Sequence, residues 1–175
     1  MYNDYFESPL GLIEFKATDK GIRQLIFCGD QRAPIKTNAL TQRCQEQLAA
    51  YFAGELSQFD LSLDWQGTAF QQQVWQVLMA IPFGHTLSYK DIAEQLNNPN
   101  SVRAVGGANG RNPISIIVPC HRVIGANGKL TGYAGGTARK AWLLEHEGIE
   151  VNAGSEQLPL PDIVGQRQAK TEFLQ

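Results

Sequence analysis

The chain has 175 residues, of which 43% are hydrophobic and 18% are charged, and this composition is ordinary for a globular protein that forms a stable core without disulfides. No apolar run approaches the roughly 18 residues that a membrane-spanning helix needs, and the N-terminal segment MYNDYFESPL has neither the basic start nor the apolar stretch of a secretory signal. We therefore expect a cytoplasmic protein without a membrane segment.

Cysteine usage and charge narrow the function classes further. Cys28, Cys44 and Cys120 are odd in number and far apart, which excludes a fully paired disulfide framework and any C-x-x-C metal or redox motif. The net charge of −2 argues against bulk electrostatic capture of nucleic acid, but residues 66–150 carry 7 Lys+Arg against 5 Asp+Glu and still permit a DNA-binding face. We expect free thiols, no metal and no cofactor.

The first 65 residues predict a small lobe of strands and one helix. Apolar residues alternate over 10–18 and 22–27, with a turn between the two runs. Apolar residues at helical spacing predict a helix over 39–53, and Gly54 stands where such a helix ends. Two thiols on these elements are interpreted as facing the core, namely Cys28 and Cys44.

The segment that follows predicts three helices. Thr68-x-x-Gln71 is a capping-box pattern ahead of the first helix, and Ser88-x-x-Asp91 opens the second. Ser101 is predicted to cap the third helix, from Val102 to about Asn109. Two short helices joined by a brief turn resemble a helix-turn-helix, although this pattern is also common in packed helical domains.

The third predicted helix is poor in side chains. Its glycines each cost roughly 1 kcal/mol of helix stability. A bare helix can approach another surface very closely, and the sequence leaves open whether that surface is DNA or a neighbouring helix. The small residues concerned are Ala104, Gly106, Gly107, Ala108 and Gly110.

The remaining chain alternates turns with apolar segments. Ile114–Val118 is apolar and is predicted to be buried. Asn127-Gly128 predicts a type I′ hairpin turn, and Thr137 is predicted to cap a last helix that Gly148 ends. Residues 151–175, with two prolines and mixed polarity, predict an irregular tail.

Cys120-His121 is the one place where a thiol and an imidazole are adjacent. A cysteine attacks as the thiolate, which a nearby imidazole favours. Neighbours on a strand point to opposite faces, so on a strand His121 would need a bent backbone or a bridging water to reach the sulfur. Glu147 is available to orient the imidazole. The dipeptide alone is equally compatible with a buried thiol beside a hydrogen-bonded histidine.

Pro119-Cys120-His121-Arg122-Val123 resembles the active-site motif of the O6-alkylguanine-DNA alkyltransferases, also called methylated-DNA–protein-cysteine methyltransferases. The resemblance runs from about Phe70 to Gly148, with the further motifs in the order and approximate spacing of that family. The first 65 residues resemble the variable N-terminal lobe of the family more weakly. The further motifs are Ser88-Tyr89, Arg103–Asn109, Asn112-Pro113, Gly132–Gly136 and Trp142–Gly148.

The family resemblance implies an α+β fold. It implies a small N-terminal α/β lobe over 1–65, similar to ribonuclease H, and a mainly helical DNA-binding and catalytic domain over 66–150. The second domain would hold a helix-turn-helix similar to that of winged-helix proteins. The tail over 151–175 matches no part of the family.

The same resemblance implies DNA repair by direct damage reversal. The protein would be a monomer that approaches double-stranded DNA from the minor groove and flips out O6-alkylguanine. It would then transfer the alkyl group irreversibly, and only once, to its own Cys120. O4-alkylthymine is a second candidate substrate.

Roles are carried over position by position. Cys120 resembles the alkyl acceptor, His121 a base that acts through a water, and Glu147 the group that holds the other imidazole nitrogen. Tyr89 resembles the proton donor to guanine N3, and Arg103 the side chain that replaces the flipped base in the stack. The remaining implied positions are Ser88, Ala104, Gly106, Gly107, Asn109 and Arg111 for DNA contact, and Asn112, Val123, Tyr133 and Ala134 for the base pocket and the hinge between recognition helix and active-site strand. The family often has serine where this chain has Ala134, so only a backbone N–H is expected to contact the base there.

Two other functions remain open from the sequence. A non-catalytic protein that binds alkyl damage on the same scaffold would lack the acceptor cysteine, and Cys120 argues against it. A thiol hydrolase using Cys120, His121 and Glu147 would turn over, and it leaves the bare helix with Arg103 unexplained.

Overall fold

The computed structural model describes residues 1–30 and 32–151, and it divides into two compact units, Met1–Trp65 and a second unit that begins at Gln66. Apart from Val151, the predicted tail lies outside the described residues. Within the described part, every helix is too short or too polar to cross a lipid bilayer. The strands are β1 (Tyr2–Ser8), β2 (Gly11–Ala17), β3 (Ile22–Phe27), β4 (Leu87–Ser88) and β5 (Val123–Ile124), and the helices are α1 (Ala39–Phe52), α2 (Ala69–Met79), α3 (Tyr89–Gln95), α4 (Val102–Gly110) and α5 (Thr137–His146).

The first unit is an antiparallel sheet in the order β1-β2-β3 with α1 packed on β1 and β2. The central strand alternates as predicted, because Ile13, Phe15 and Ala17 are buried while their neighbours are not. Cys44 on α1 is also buried, and burial raises the pKa of its thiol to about 12. The interpretation of Cys28 as a core thiol is wrong, because it lies half-buried just past the end of β3.

The second unit is mainly helical. α3 and α4 form the predicted helix-turn-helix, and α2 packs against α4, where Trp75 Nε1 donates a hydrogen bond of 2.9 Å to the Ala108 carbonyl. β4 and β5 pair in parallel, with Leu87 opposite Val123. This pairing fixes the start of α3, which is Tyr89, beside the segment that leads into β5. The predicted α+β class, with a small sheet followed by a helical domain, is confirmed.

Capping boxes at Thr68 and Ser88 open α2 and α3 as predicted. Ser101 is the N-cap residue of α4 as predicted, although its side chain makes no capping bond, and the predicted cap at Thr137 is wrong. Ser101 ends a 3-10 turn that runs into α4, and its hydroxyl donates back to the Asn98 carbonyl at 2.6 Å instead of accepting from the helix. The N-cap of α5 is Gly136 at φ +93°, so Thr137 is already the first helical residue.

The predicted type I′ turn at Asn127-Gly128 is also wrong. That turn requires positive φ at both residues, and only Gly128, at φ +80°, has it. The turn closes instead through a 2.9 Å bond from the Gly128 N–H to the Gly125 carbonyl. Asn127 Oδ1 accepts from the Lys129 N–H, so the asparagine side chain stabilises a different turn from the one that its backbone was expected to form.

Candidate active site

Asn112 fixes the backbone that leads to Cys120. Its Oδ1 accepts from the Ile114 N–H at 2.9 Å, and its Nδ2 donates to the Val118 carbonyl at 2.8 Å. Between these anchors the apolar run is buried as predicted, and Ile116 adopts φ +72°. A β-branched residue in the left-handed region costs on the order of 1–3 kcal/mol, so the surrounding bonds must hold it there.

Cys120 begins a 3-10 turn, Cys120–Arg122, and not the strand that the resemblance implied. Its N–H bonds to the Val118 carbonyl at 2.7 Å, and the residue is only 3% exposed. Burial raises the pKa of the Cys120 thiol, while a hydrogen bond from Asn112 and the positive charge of Lys140 act in the opposite direction. The resting site therefore favours the thiol, and thiolate formation needs help from neighbouring groups.

The bent backbone brings His121 and Arg122 to the same carboxylate. His121 Nε2 lies 2.7 Å from Glu147 Oε2, and Arg122 donates to both Glu147 oxygens, at 2.7 and 3.1 Å. Burial by itself raises the pKa of Glu147, but the charge that His121 carries when protonated, the charge of Arg122 and the hydrogen bonds of both residues hold that pKa far below its ordinary value. Glu147 is thus a carboxylate, buried at the C-terminal end of α5.

This arrangement decides which imidazole nitrogen is available. A carboxylate only accepts hydrogen bonds, so the hydrogen of a neutral His121 is assigned to Nε2. His121 Nδ1 is then the acceptor, and this buried atom has no hydrogen-bond partner among the described residues. The pair presents a basic nitrogen that is oriented from behind by Glu147.

Arg122 is a site residue that sequence reasoning missed. Besides the bidentate contact with Glu147, its Nη1 donates to the carbonyl of Ile81, two residues past the end of α2, at 2.7 Å. The sequence did contain a signal, because an arginine inside a buried motif needs a carboxylate partner. That partner, Glu147, is 25 residues away along the chain, so the motif alone does not identify it.

Tyr89 faces a loop that begins at Thr131. Its hydroxyl donates to the Thr131 carbonyl at 2.9 Å, and burial raises the pKa of the phenol. Gly132 adopts φ +67°, and a Cβ at this position would lie 2.8 Å from the Tyr89 hydroxyl oxygen. Glycine is therefore required at this position by both its conformation and the closeness of Tyr89.

Lys140 is a second residue that was missed. The side chain is fully buried, and Nζ donates to the Thr131 carbonyl at 2.7 Å. Burial lowers the pKa of Lys140 to about 8, against the opposing effect of a negative charge on Cys120. The signal in the sequence was the helical spacing. Lys140 precedes Leu143 by three residues and Glu147 by seven, so the three positions share one face of a helix.

Asn109 is a buried residue of α4. It is 1% exposed, and its Nδ2 donates to the Cys120 carbonyl at 3.4 Å. The structure thus places this side chain against the active-site turn, and the DNA contact that the resemblance implied stays a prediction. The Cys120 carbonyl also accepts from the Val123 N–H, so it has two donors already.

The other implied DNA contacts lie mostly on one exposed face of α4. Arg103, Gly107 and Arg111 recur every four residues and are exposed, as is Ala104, while Gly106 is partly buried near the Tyr89 ring. The Ser88 hydroxyl is engaged as the cap of α3.

The implied pocket residues differ in exposure. Val123 and Tyr133 are buried, whereas Ala134 is exposed. Within the described part of the chain, no three His, Cys, Asp or Glu side chains cluster as metal ligands would.

Comparison with known proteins places both units in one family. A family model described as the 6-O-methylguanine DNA methyltransferase DNA-binding domain matches residues 69–149, and one described as the ribonuclease-like domain matches residues 1–65. The crystal structure of Mycobacterium tuberculosis OGT in complex with DNA is similar with a TM-score of 0.78 and 46% identity, over 87% of this chain and 96% of that one.

Curated relatives agree. A methylated-DNA–protein-cysteine methyltransferase of Methanosarcina acetivorans is 47% identical over 154 residues, which cover 85% of this chain and 99% of that protein. One from Mycobacterium bovis is 65% identical over 102 residues, which cover 58% of this chain and 62% of that protein. Because a match over nearly the whole length of such a relative cannot come from one shared motif, the chain belongs to the 6-O-methylguanine DNA methyltransferase family.

Proposed function

We propose that this protein repairs O6-alkylguanine in double-stranded DNA by transferring the alkyl group, once and irreversibly, to Cys120. One observation carries the proposal. The buried Cys120 thiol shares a single tight turn with His121, whose Nε2 is bound by Glu147 and whose Nδ1 has no hydrogen-bond partner in the part of the chain that the structure describes. Nucleophile, base and orienting carboxylate are the parts of an activated-thiol site.

The first chemical step is deprotonation of Cys120. The thiol proton passes to His121 Nδ1 through a bridging water, as adjacency along the chain does not require the two side chains to touch. Glu147 then stabilises the imidazolium, in the way that a carboxylate supports histidine in hydrolase triads. Arg122 keeps Glu147 ionised and in place, which makes it a positioning residue.

The second step is attack on the alkyl carbon. The sulfur–carbon bond forms as the bond between carbon and guanine O6 breaks, and the electron pair stays with the guanine. Tyr89 supplies a proton to guanine N3, which makes the base a better leaving group. The proton gained by His121 balances the one lost by Tyr89, and solvent exchange restores both groups.

Tyr89 has a single O–H, which is committed to the Thr131 carbonyl in the free protein. Entry of a base must therefore release this bond before the hydroxyl is free to face guanine. The product on Cys120 is a thioether, whose sulfur is a poor leaving group under these conditions. Each molecule of protein consequently acts once.

DNA recognition is assigned to the exposed face of α4. An O6-alkyl group sits on the pairing edge of guanine, so the nucleotide must leave the stack before sulfur can approach the carbon in line. Unstacking costs a few kcal/mol, and an inserted side chain offsets part of that cost. Arg103 is exposed and long enough for this role, and Ala104 and Gly107 beside it allow the backbone of α4 to come close. We assign approach from the minor groove and action as a monomer.

The proposal is tested by the stoichiometry of transfer. With an excess of duplex DNA containing labelled O6-methylguanine, label should accumulate on the protein until each molecule carries one methyl group and then stop. Continued release of product would indicate a hydrolase. Binding without any transfer would indicate a damage sensor.

Arg103→Ala should slow repair of duplex DNA by about tenfold or more, yet leave the reaction with free O6-benzylguanine nearly unchanged, because a free base needs no flipping. Single-turnover rates on both substrates measure the difference. Lys129→Ala, which removes a positive charge from an exposed loop residue of the same unit, is the control for loss of charge alone. Equal losses on both substrates would mean that Arg103 supports the pocket or the fold.

Substitutions of Gly107 separate DNA contact from folding. A Cβ at Gly107 would meet nothing within 4 Å, so Gly107→Ala should raise the free energy of unfolding by up to about 1 kcal/mol. Gly107→Leu should also fold, but its side chain would stand between α4 and DNA, so the Kd for duplex DNA should rise. Unchanged DNA affinity in Gly107→Leu would contradict the assignment of this face. Reaction with the free base, measured in parallel, should stay constant.

A further inference from the structure

The Thr131 carbonyl is shared by two groups of the site. It accepts from the Tyr89 hydroxyl at 2.9 Å and from Lys140 Nζ at 2.7 Å, and Nζ lies 6.0 Å from the centre of the Tyr89 ring. The amine is therefore held beside the Tyr89 ring by a backbone atom. The resulting position is fixed by α3, α5 and the loop between β5 and α5 together.

The charge of this amine is unusual for a buried group. Within the described residues, no carboxylate lies within ion-pair distance of Lys140, since Glu147 on the same helix is occupied by His121 and Arg122. An isolated buried cation is costly, and natural proteins rarely keep one without a partner. The groups that face it are the Thr131 carbonyl and the Tyr89 ring. The helix α5, which carries Lys140, also packs against the Cys120–Arg122 turn, so the charges of Lys140 and Cys120 act on each other.

Burial is also unfavourable for the charged form of Cys120. The positive charge of Lys140, in contrast, favours this thiolate. When the sulfur is anionic and the amine is cationic, the attraction between the two charges offsets part of the free-energy cost of burying each of them.

We propose that Lys140 is the counter-charge of the Cys120 thiolate, held beside the pocket by the Thr131 carbonyl so that sulfur can be anionic in a site that excludes water. This rests on the proposed function only in taking Cys120 as the acceptor. Lys140 acts through the charge on sulfur and transfers no proton in the reaction, so it is a positioning residue and not a base. Once Cys120 is alkylated, the anion is gone and Lys140 loses its partner.

The charge can be separated from the hydrogen bond by substitution. Lys140→Met removes both, and Lys140→Gln removes the charge but keeps a donor for the Thr131 carbonyl. The readout is the rate at which iodoacetamide modifies Cys120, followed by peptide mass spectrometry over a range of pH. This rate follows the thiolate fraction, needs no DNA and distinguishes Cys120 from Cys28 and Cys44.

Both variants should shift the titration of Cys120 upward by about one pH unit or more, so that modification near pH 7 slows by about tenfold or more. The difference in modification rate between each variant and the wild type should narrow above about pH 8, where Lys140 itself loses its proton. Lys129→Gln should keep the wild-type profile, and thermal unfolding of each variant checks that it is folded.

Two results would overturn the proposal. A wild-type profile in Lys140→Gln would mean that the hydrogen bond matters and the charge does not. An equal slowing at every pH would mean that Lys140 only supports the shape of the pocket. Because iodoacetamide replaces alkylguanine as the reagent, a failure of DNA repair in the wild-type protein would not be confused with either result.

Discussion

Cys120→Ser and Cys120→Ala are expected to abolish alkyl transfer completely, while both variants still bind duplex DNA that contains O6-methylguanine. The sulfur supplies the nucleophile, and a serine hydroxyl in the same position is far too weakly acidic to replace a thiolate. The side chain is 3% exposed, so it contributes almost nothing to the surface that meets DNA. Transfer is measured as label retained on the protein, and binding as fluorescence anisotropy of labelled DNA.

The other thiols provide the matched controls for this result. Cys28→Ser and Cys44→Ala should transfer at the wild-type level, since Cys28 lies half-buried in the other unit and burial raises the pKa of Cys44 to about 12. Retained transfer in the Cys120 variants would contradict the assignment of the acceptor. Loss of DNA binding together with transfer would show that the substitution had damaged the fold.

Glu147→Gln should be costly for both stability and reaction. It leaves the buried Arg122 guanidinium without its anion, and breaking a buried ion pair from one side costs about 3–5 kcal/mol. It also removes the group that supports a positive charge on His121, so the reaction with free O6-benzylguanine should slow by about a hundredfold or more. Chemical denaturation and single-turnover rates measure the two effects. Glu150→Gln, an exposed carboxylate three residues later, should change neither.

The pH dependence of stability gives an independent check on Glu147. Its pKa is lower in the folded state than in the unfolded chain, so its contribution to the free energy of unfolding is fully present above the unfolded pKa of about 4.5 and is lost as the pH falls below that value. Glu147→Gln should therefore flatten the acid side of the stability profile. A variant as acid-sensitive as the wild type would show that other groups determine acid unfolding.

Sequence patterns predicted local structure best where the deciding contacts are only three residues apart. The boxes Thr68–Gln71 and Ser88–Asp91 are examples, because each cap needs only its own helix turn. Ser101 and Thr137 have equally suitable side chains, but the Ser101 side chain makes no capping bond and Thr137 is not the cap residue. The 3-10 turn that ends at Ser101 and the left-handed Gly136 before Thr137 determine the backbone at these two positions, and no side-chain pattern in the sequence predicts either.

The same distinction applies to the candidate site. Cys120, His121 and Glu147 were identified from motifs, and the structure brings His121 and Glu147 into contact across 26 residues of sequence. Arg122 and Lys140 were missed, because their partners are a distant carboxylate and a loop carbonyl that only the folded chain brings near. The contact between Asn109 and the Cys120 carbonyl was not predicted either, because it depends on how α4 packs against the active-site turn.

Peptide mapping directly tests the assignment of Cys120 as the acceptor of the alkyl group. The wild-type protein is incubated with duplex DNA containing O6-methylguanine, digested and analysed by mass spectrometry. The peptide containing Cys120 is expected to gain the mass of one methyl group in place of a hydrogen, while the peptides of Cys28 and Cys44 stay unmodified and the DNA regains guanine. A methyl group on another residue, or repaired DNA with no modified peptide, would contradict this assignment.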